Sequence, residues 1–142
     1  MIKHILLFSI LFSLGFASID SFAKKNNYYT NYQQAKAKAI QTHKPLMLLV
    51  VTTTCPWCEK LKKQTLSKKE INNYISKNYI PLILNRDKAQ YPTDKFEAKV
   101  VPTVFFVDPK NETIIENSYG YKSQKKFLNV LEKVNSNYKG KS

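Results

Sequence analysis

"LMLLVVTTTCPWCEKLKK", residues 46–63, joins an apolar run to two cysteines separated by Pro56 and Trp57. Residues 46–53 show no polar alternation, are aliphatic and β-branched, and are too short for a buried helix, so they predict a fully buried central strand. Such strands lie in sheets covered on both faces. Pro56 has no amide hydrogen to lose and a fixed φ suited to the first helical position, so a helix is expected through residues 57–66. The cysteines therefore fall at a strand-to-helix turn.

Upstream, Tyr32, Ala35, Ala39 and Ile40 recur at helical spacing, which predicts a helix over 29–43 that Pro45 ends. His43 reads as a surface residue near that helix end, where a cationic form suits the dipole. Downstream, "SKKE" (67–70) matches a capping box, with Ser67 as N-cap and Glu70 three residues on, opening a helix over about 68–77. "YIPLILN" (79–85) reads as a second buried strand, and its Pro81 suggests a strand start or an irregular edge. A short helical piece is expected around "DKFEAK" (94–99). "VVPTVFFVD" (100–108) then pairs with "TIIENSY" (113–119) across the turn residues "DPKNE". Ser123 caps a last helix bearing Phe127, Leu128, Leu131 and Val134, and the Lys-rich tail after Asn135 reads as polar and low in complexity. Helices alternating with strands predict an α/β layered domain.

The chain has 142 residues, which suits one domain. Its first 23 residues stand apart: Lys3 is followed by the apolar "ILLFSILFSLGF", and "SFA" ends on a small residue at Ala23. This is the pattern of a secretory signal peptide, and its apolar stretch is short of the roughly 20 residues a spanning helix needs. Cleavage is expected after Ala23, leaving a domain over 24–142 with no stable membrane insertion and a periplasmic location. The net charge is +13, and all the cations but Arg86 are lysines, which beyond the leader are scattered from Lys24 to Lys141 with no Arg cluster or aromatic ladder. That distribution reads as a solvated surface and argues against nucleic-acid recognition.

Cys55 and Cys58 are the only cysteines. A bridge across two residues closes a very short loop and stabilises little, so a purely structural disulfide is disfavoured. At a helix amino terminus, unpaired amides and the positive dipole end stabilise an anion, which would lower the thiol pKa of Cys55 below its free value of about 8.5. Cys55 is then the candidate nucleophile. Cys58, one turn along, is the candidate resolving thiol that attacks a mixed disulfide and releases the substrate. Glu59 reads as a solvent-facing carboxylate in the first turn, the competing role being proton transfer from Cys58. Trp57 divides evenly between an exposed docking surface and packing on its own helix.

The stretch "KPLMLLVVTTTCPWCEKLKK" (44–63), the strand "VPTVFFVD" (101–108) and Gly120 before the last helix resemble the thioredoxin-like disulfide oxidoreductases, over about residues 29–135. Within that family the chain looks most like bacterial periplasmic proteins of the Dsb reductant pathway. The resemblance implies a central mixed β-sheet flanked by helices on both faces, and no cofactor beyond the redox-active cysteine pair. It implies Pro102 as a cis-proline facing the cysteines, substrate contacts from Trp57, Val101 and Pro102, and an active-site loop including Thr54 and Pro56. Implied partners are protein disulfides, apocytochrome c possible among them, and a membrane-embedded or soluble electron-transfer protein. The sequence departs from the family where a buried Asp and a Trp are usual: Leu49 stands six residues before Cys55, and Thr54 immediately before it.

Alternatives remain open at this level. The same fold can serve as a thiol oxidase or isomerase. A Cu(I) or Zn(II) module would have two thiols and a remote histidine where zinc normally takes four ligands. A non-catalytic adaptor would use the basic surface alone.

Overall fold

Leu46–Val51 forms strand β1, and all six of its residues are buried. The computed structural model describes residues 18–88 and 90–141, so the leader expected over 1–23 lies outside the described residues as far as Ala17. β1 pairs in parallel with β2 (Ile80–Asn85) and antiparallel with β3 (Thr103–Val107), and β3 pairs antiparallel with β4 (Ile114–Tyr119). The order across the mixed sheet is β2-β1-β3-β4.

The period-2 alternation of strands divides the core in two. Met47, Leu49, Val51, Ile83, Val104 and Phe106 face one layer, and Leu46, Leu48, Val50, Leu82, Leu84, Phe105 and Val107 face the other. The first layer is covered by α1 (Ile19–Asn26), α3 (Pro56–Leu61), α4 (Lys69–Asn78) and α5 (Gln124–Lys139). The second is covered by α2 (Tyr32–Thr42) and by Tyr91, Phe96 and Ala98. A continuous apolar run is stable as a strand because both of its faces are sealed.

Several boundaries differ from the expectations. α2 starts at Tyr32 rather than 29, because Asn31 Oδ1 accepts the amide of Gln34 as a cap, while Tyr29 forms a parallel bridge to Leu82 on the free side of β2. Pro81, which cannot donate, offers its carbonyl to the Tyr29 amide at 2.9 Å. The expected capping box does not form: Ser67 is taken up as the C-cap of the preceding turn, and Lys68 is the N-cap of α4 without a side-chain bond. "DKFEAK" is a turn, closed by the amides of Lys95 and Phe96 on the Pro92 carbonyl and anchored by buried Phe96. The tail is helical to Lys139, since nothing breaks the backbone before Gly140.

Two polar anchors cross the layers. Glu112, at the β3–β4 turn, accepts from the Tyr32 hydroxyl at 2.5 Å and pairs with Lys36 at 3.1 Å and Lys95 at 3.0 Å. The Tyr32 bond first, then the two ammonium groups, hold its carboxyl down to about 2. Tyr79, buried, donates its hydroxyl to the Leu131 carbonyl at 2.5 Å and ties the start of β2 to α5.

At the amino-terminal end, residues 19–23, read as the end of the leader, are part of α1. Ser18 Oγ caps that helix on the Ser21 amide, and Asn27 closes it in the left-handed conformation. Phe22 and Ala23 are only 6% and 3% exposed, and the Phe22 ring meets Tyr28 edge-on at 5.0 Å.

Candidate active site

β1 delivers the chain to the loop Thr52–Thr54, and Cys55 follows as the N-cap of α3 with Pro56 at N1. The Cys58 amide donates to Cys55 Sγ at 3.1 Å, so a helix-end amide meets the sulfur as expected. Sulfur takes the role a serine oxygen plays in other caps. Cys55 and Cys58 are joined as a disulfide, with Cα atoms 5.2 Å apart. Cys58 lies deeper than Cys55, whereas Thr54, Pro56 and Trp57 are exposed. A reagent thus reaches the pair from the side of Cys55 and the Pro-Trp dipeptide.

Below Leu61 the expected helix widens into a π turn, Lys62–Leu66, with the Ser67 amide on the Lys62 carbonyl at 2.9 Å. One extra residue per turn lets Leu61, Lys62, Thr65 and Leu66 all lie buried. Thr65 Oγ1 donates to the Lys122 carbonyl at 2.6 Å, which fastens the helix to the loop after β4.

The partner strand brings Pro102 to the same place. Val50 pairs with Thr103, so Pro102 stands across from Val51, at the end of the strand leading to Cys55. The Val101–Pro102 peptide bond is cis. Pro102 is buried and Val101 half-buried, while Val100 is 52% exposed. Gly120, at φ +68°, donates its amide to the Pro102 carbonyl at 2.8 Å and sets Tyr119 and Tyr121 on either side. That positive φ is what glycine permits most readily.

Trp57 is 57% exposed, and its ring centroid lies 6.2 Å from that of Tyr121. Lys60 Nζ is placed over both rings, 5.0 Å from Trp57 and 4.6 Å from Tyr121. Trp57 thus presents an open face and also lies against Lys60 of its own helix. Lys60, three residues after Trp57, was visible as a helical neighbour; Tyr121 reaches the site only through the tertiary fold.

The largest departure from expectation is beneath the disulfide. Glu59 is not solvent-facing: its side chain is 12% exposed and pairs with Lys62 at 2.5 Å, whose side chain is 5% exposed. Lys62 Nζ also lies 5.6 Å from the Phe22 ring centre, so α1 contributes to covering this pair. Glu59 Oε2 is buried without a hydrogen-bond partner among the described residues. Both side chains line a cavity of about 410 Å³ at the carboxyl ends of β1 and β2, with Thr52, Thr53 and Asn85. The Glu-x-x-Lys spacing was legible, but its burial was not. Leu49 is fully buried within the apolar layer. Among the described residues, no group of three or more His, Cys, Asp or Glu is placed to hold a metal ion.

Comparison with known proteins agrees with this geometry. The fold is similar to that of a thioredoxin from Thermus thermophilus (TM-score 0.67, 20% identity, 75% of this chain and 85% of that one). It is similar to the DsbH oxidoreductase (0.66, 16%, 76% and 83%). The oxidised DsbD C-terminal domain of Neisseria meningitidis also matches (0.60, 19%, 75% and 97%). Among curated proteins, anterior gradient protein 3 of Mus musculus is 31% identical over 81 residues, 55% of this chain. Spermatogenesis-associated protein 20 of Rattus norvegicus is 27% identical over 62 residues, 44% of this chain. The chain spans about half of the former and 8% of the latter. A family model described as a thioredoxin-like domain matches residues 32–135, from the first turn of α2 into α5, and with the cysteine pair at the head of α3 this chain belongs to the thioredoxin-like domain family.

Proposed function

We propose that this protein is a thiol:disulfide oxidoreductase that reduces disulfides in exported proteins. The observation that carries the reading is the Cys58 amide bonded to Cys55 Sγ at the amino end of α3, with the second sulfur bound and buried one turn deeper. In the reduced form that amide and the positive end of the helix favour the Cys55 thiolate. The thiolate attacks one sulfur of the substrate, a new S–S bond joins Cys55 to it, and the other substrate sulfur leaves as a thiolate that takes a proton. Cys58 then gives up its proton and attacks Cys55 Sγ, which frees the second substrate thiol and restores the internal disulfide. Two electrons pass to the substrate, and a redox partner returns them. Trp57, Val101 and Pro102 line the approach and hold the substrate backbone. Likeness in fold to the DsbD C-terminal domain supports the reducing direction, with apocytochrome c among the substrates to be tested.

The test is trapping. Cys58→Ser should accumulate covalent mixed disulfides with exported proteins, and Cys55→Ser should not. Rapid acid quenching and thiol alkylation should find the wild-type pair mostly reduced in cells. Equal trapping by both variants would refute the nucleophile assignment, and a mostly oxidised pair would refute the direction.

Export through the amino-terminal leader into the periplasm is part of the proposal. Cleavage after Ala23 would cut α1 and uncover Tyr28 and the Glu59–Lys62 pair. Gly15-Phe16-Ala17 offers the same small-x-small pattern and would leave the helix whole, so the burial of Phe22 and Ala23 favours a mature chain that begins at Ser18. Intact mass of the secreted protein decides between the two, and a chain starting at Lys24 would refute the earlier bond.

A further inference from the structure

We infer that the rim of the disulfide selects polypeptides carrying an Asp or Glu beside the reacting cysteine, with the Lys60 ammonium as the recognising group. The inference rests on the oxidoreductase reading and narrows its substrate class.

The three segments that border the cysteine pair, 52–58, 99–103 and 119–123, contain no acidic residue, while Lys99 and Lys122 stand among them. The nearest carboxylate in sequence, Glu59, is turned away and paired with Lys62. Neither Lys60 nor Lys122 is within 4 Å of a carboxylate among the described residues, since the pairs formed there engage other lysines and Arg86. Trp57 lies under Lys60, Lys122 Nζ donates to the Tyr119 carbonyl at 3.0 Å, and Val100 precedes Val101 and Pro102 in the chain; all three apolar side chains are more than half exposed. An apolar rim of this kind fits an extended polypeptide, and its local charge fits an anionic one.

Lys60 is held by aromatic faces, whereas Lys122 is held by a backbone oxygen, its Nζ donating to the Tyr119 carbonyl at 3.0 Å. The Lys60 ammonium stands over two ring faces at 5.0 and 4.6 Å, and Tyr121 is itself fixed by its hydroxyl on Gln64 Oε1 at 3.3 Å. An exposed ion pair usually gains little, because ordering a long side chain cancels much of the attraction. Here the rings have already ordered the cation. A carboxylate arriving next to Trp57 therefore meets a pre-positioned charge.

The experiment uses the reduced protein and two peptide disulfides, homodimers of acetyl-Gly-Glu-Cys-Glu-amide and of acetyl-Gly-Lys-Cys-Lys-amide. Each turnover oxidises Cys55 and Cys58 to their disulfide and reduces the peptide disulfide to two thiols. At low ionic strength the Glu peptide should react roughly tenfold faster than the Lys peptide, a ratio that collapses at about 1 M salt, where the screening length is about 3 Å. Overall positive charge would produce part of this ratio, so the decisive comparison is between variants. Lys60→Gln should lower the ratio about two- to fivefold, the range of one exposed charge pair. Lys60→Arg should keep it. Lys110→Gln, in the exposed turn at the far end of the β3–β4 hairpin, removes the same charge and should leave the ratio nearly unchanged. Equal falls for Lys60→Gln and Lys110→Gln, or a ratio near one in the wild type with exchange intact, would overturn this inference alone. Failure to reduce either peptide would overturn the oxidoreductase reading beneath it.

Discussion

Replacing Lys62 with Met tests whether the ion pair beneath the active-site helix is as desolvated as its geometry implies. Met keeps most of the apolar stem and deletes the ammonium, leaving the Glu59 carboxylate with neither oxygen paired to that cation. Removing one member of a buried pair costs about 3–5 kcal/mol. Glu59 retains 12% exposure and borders a cavity of about 410 Å³ wide enough for water, so we take a value at or just below the foot of that range, about 2–3 kcal/mol. In a domain of this size that corresponds to a fall of about 8–12 °C in Tm. The double variant Glu59→Gln/Lys62→Met has no uncompensated charge and should recover to within about 1 kcal/mol of the wild type. The assay is urea unfolding of the oxidised protein, followed by circular dichroism, over the wild type, both single variants and the double. The coupling read from that cycle should be about 2 kcal/mol. If Lys62→Met stays within about 0.5 kcal/mol of the wild type and the singles add, water screens the pair and the reasoning fails.

Glu112 predicts an acid-sensitive contribution to stability. Its folded pKa is depressed to about 2, so the contribution is present above the unfolded carboxyl value of about 4.5 and is lost as pH falls toward 2. Linkage allows about 3 kcal/mol, which screening around half-exposed Lys95 reduces to about 1–2 kcal/mol. Glu112→Gln should therefore lower the urea midpoint at pH 7 and match the wild type near pH 2; a constant difference across that range would contradict it. Gly120→Ala meets no atom within 4 Å at the new Cβ, so its cost is the left-handed backbone alone, about 1 kcal/mol in the same unfolding assay. A neutral Gly120→Ala would show that the loop relaxes freely. Tyr28 buries its hydroxyl without a partner among the described residues, and burial pushes its pKa up. Tyr28→Phe should thus be neutral or stabilising by up to about 1 kcal/mol in thermal melts, and destabilisation beyond that amount would reveal a bonded hydroxyl.

Much of the site was legible in residues 46–63. A run of aliphatic residues too short for a buried helix, a proline with no amide to lose, and two cysteines one turn apart carry local information, because strand burial, the N1 position and capping depend on near neighbours. The same holds for the hairpin at Asp108–Thr113 and for the face of α5 bearing Phe127, Leu131 and Val134. Errors came where a residue could serve two neighbouring elements. Ser67 could open α4 or close the π turn, and only the packed arrangement made it the closing residue. Tyr29 could start α2 or extend the sheet, and the unpaired side of β2 captured it.

The sequence by itself determined the strand-to-helix placement of Cys55 and Cys58 and the α/β order around it, since those follow from backbone propensities and hydrophobic period. Only the tertiary structure decided what surrounds the sulfurs. Lys62 and Glu59 are charged residues in a Lys-rich stretch, and nothing local distinguishes them from the solvated lysines beside them. They are buried because α1 and the carboxyl ends of β1 and β2 close over that side of the helix. Tyr121 lies more than sixty residues from Trp57 and reaches it because Gly120 turns the chain against Pro102. Burial and aromatic stacking of this kind are properties of non-neighbouring segments, and they exist only once the sheet has formed.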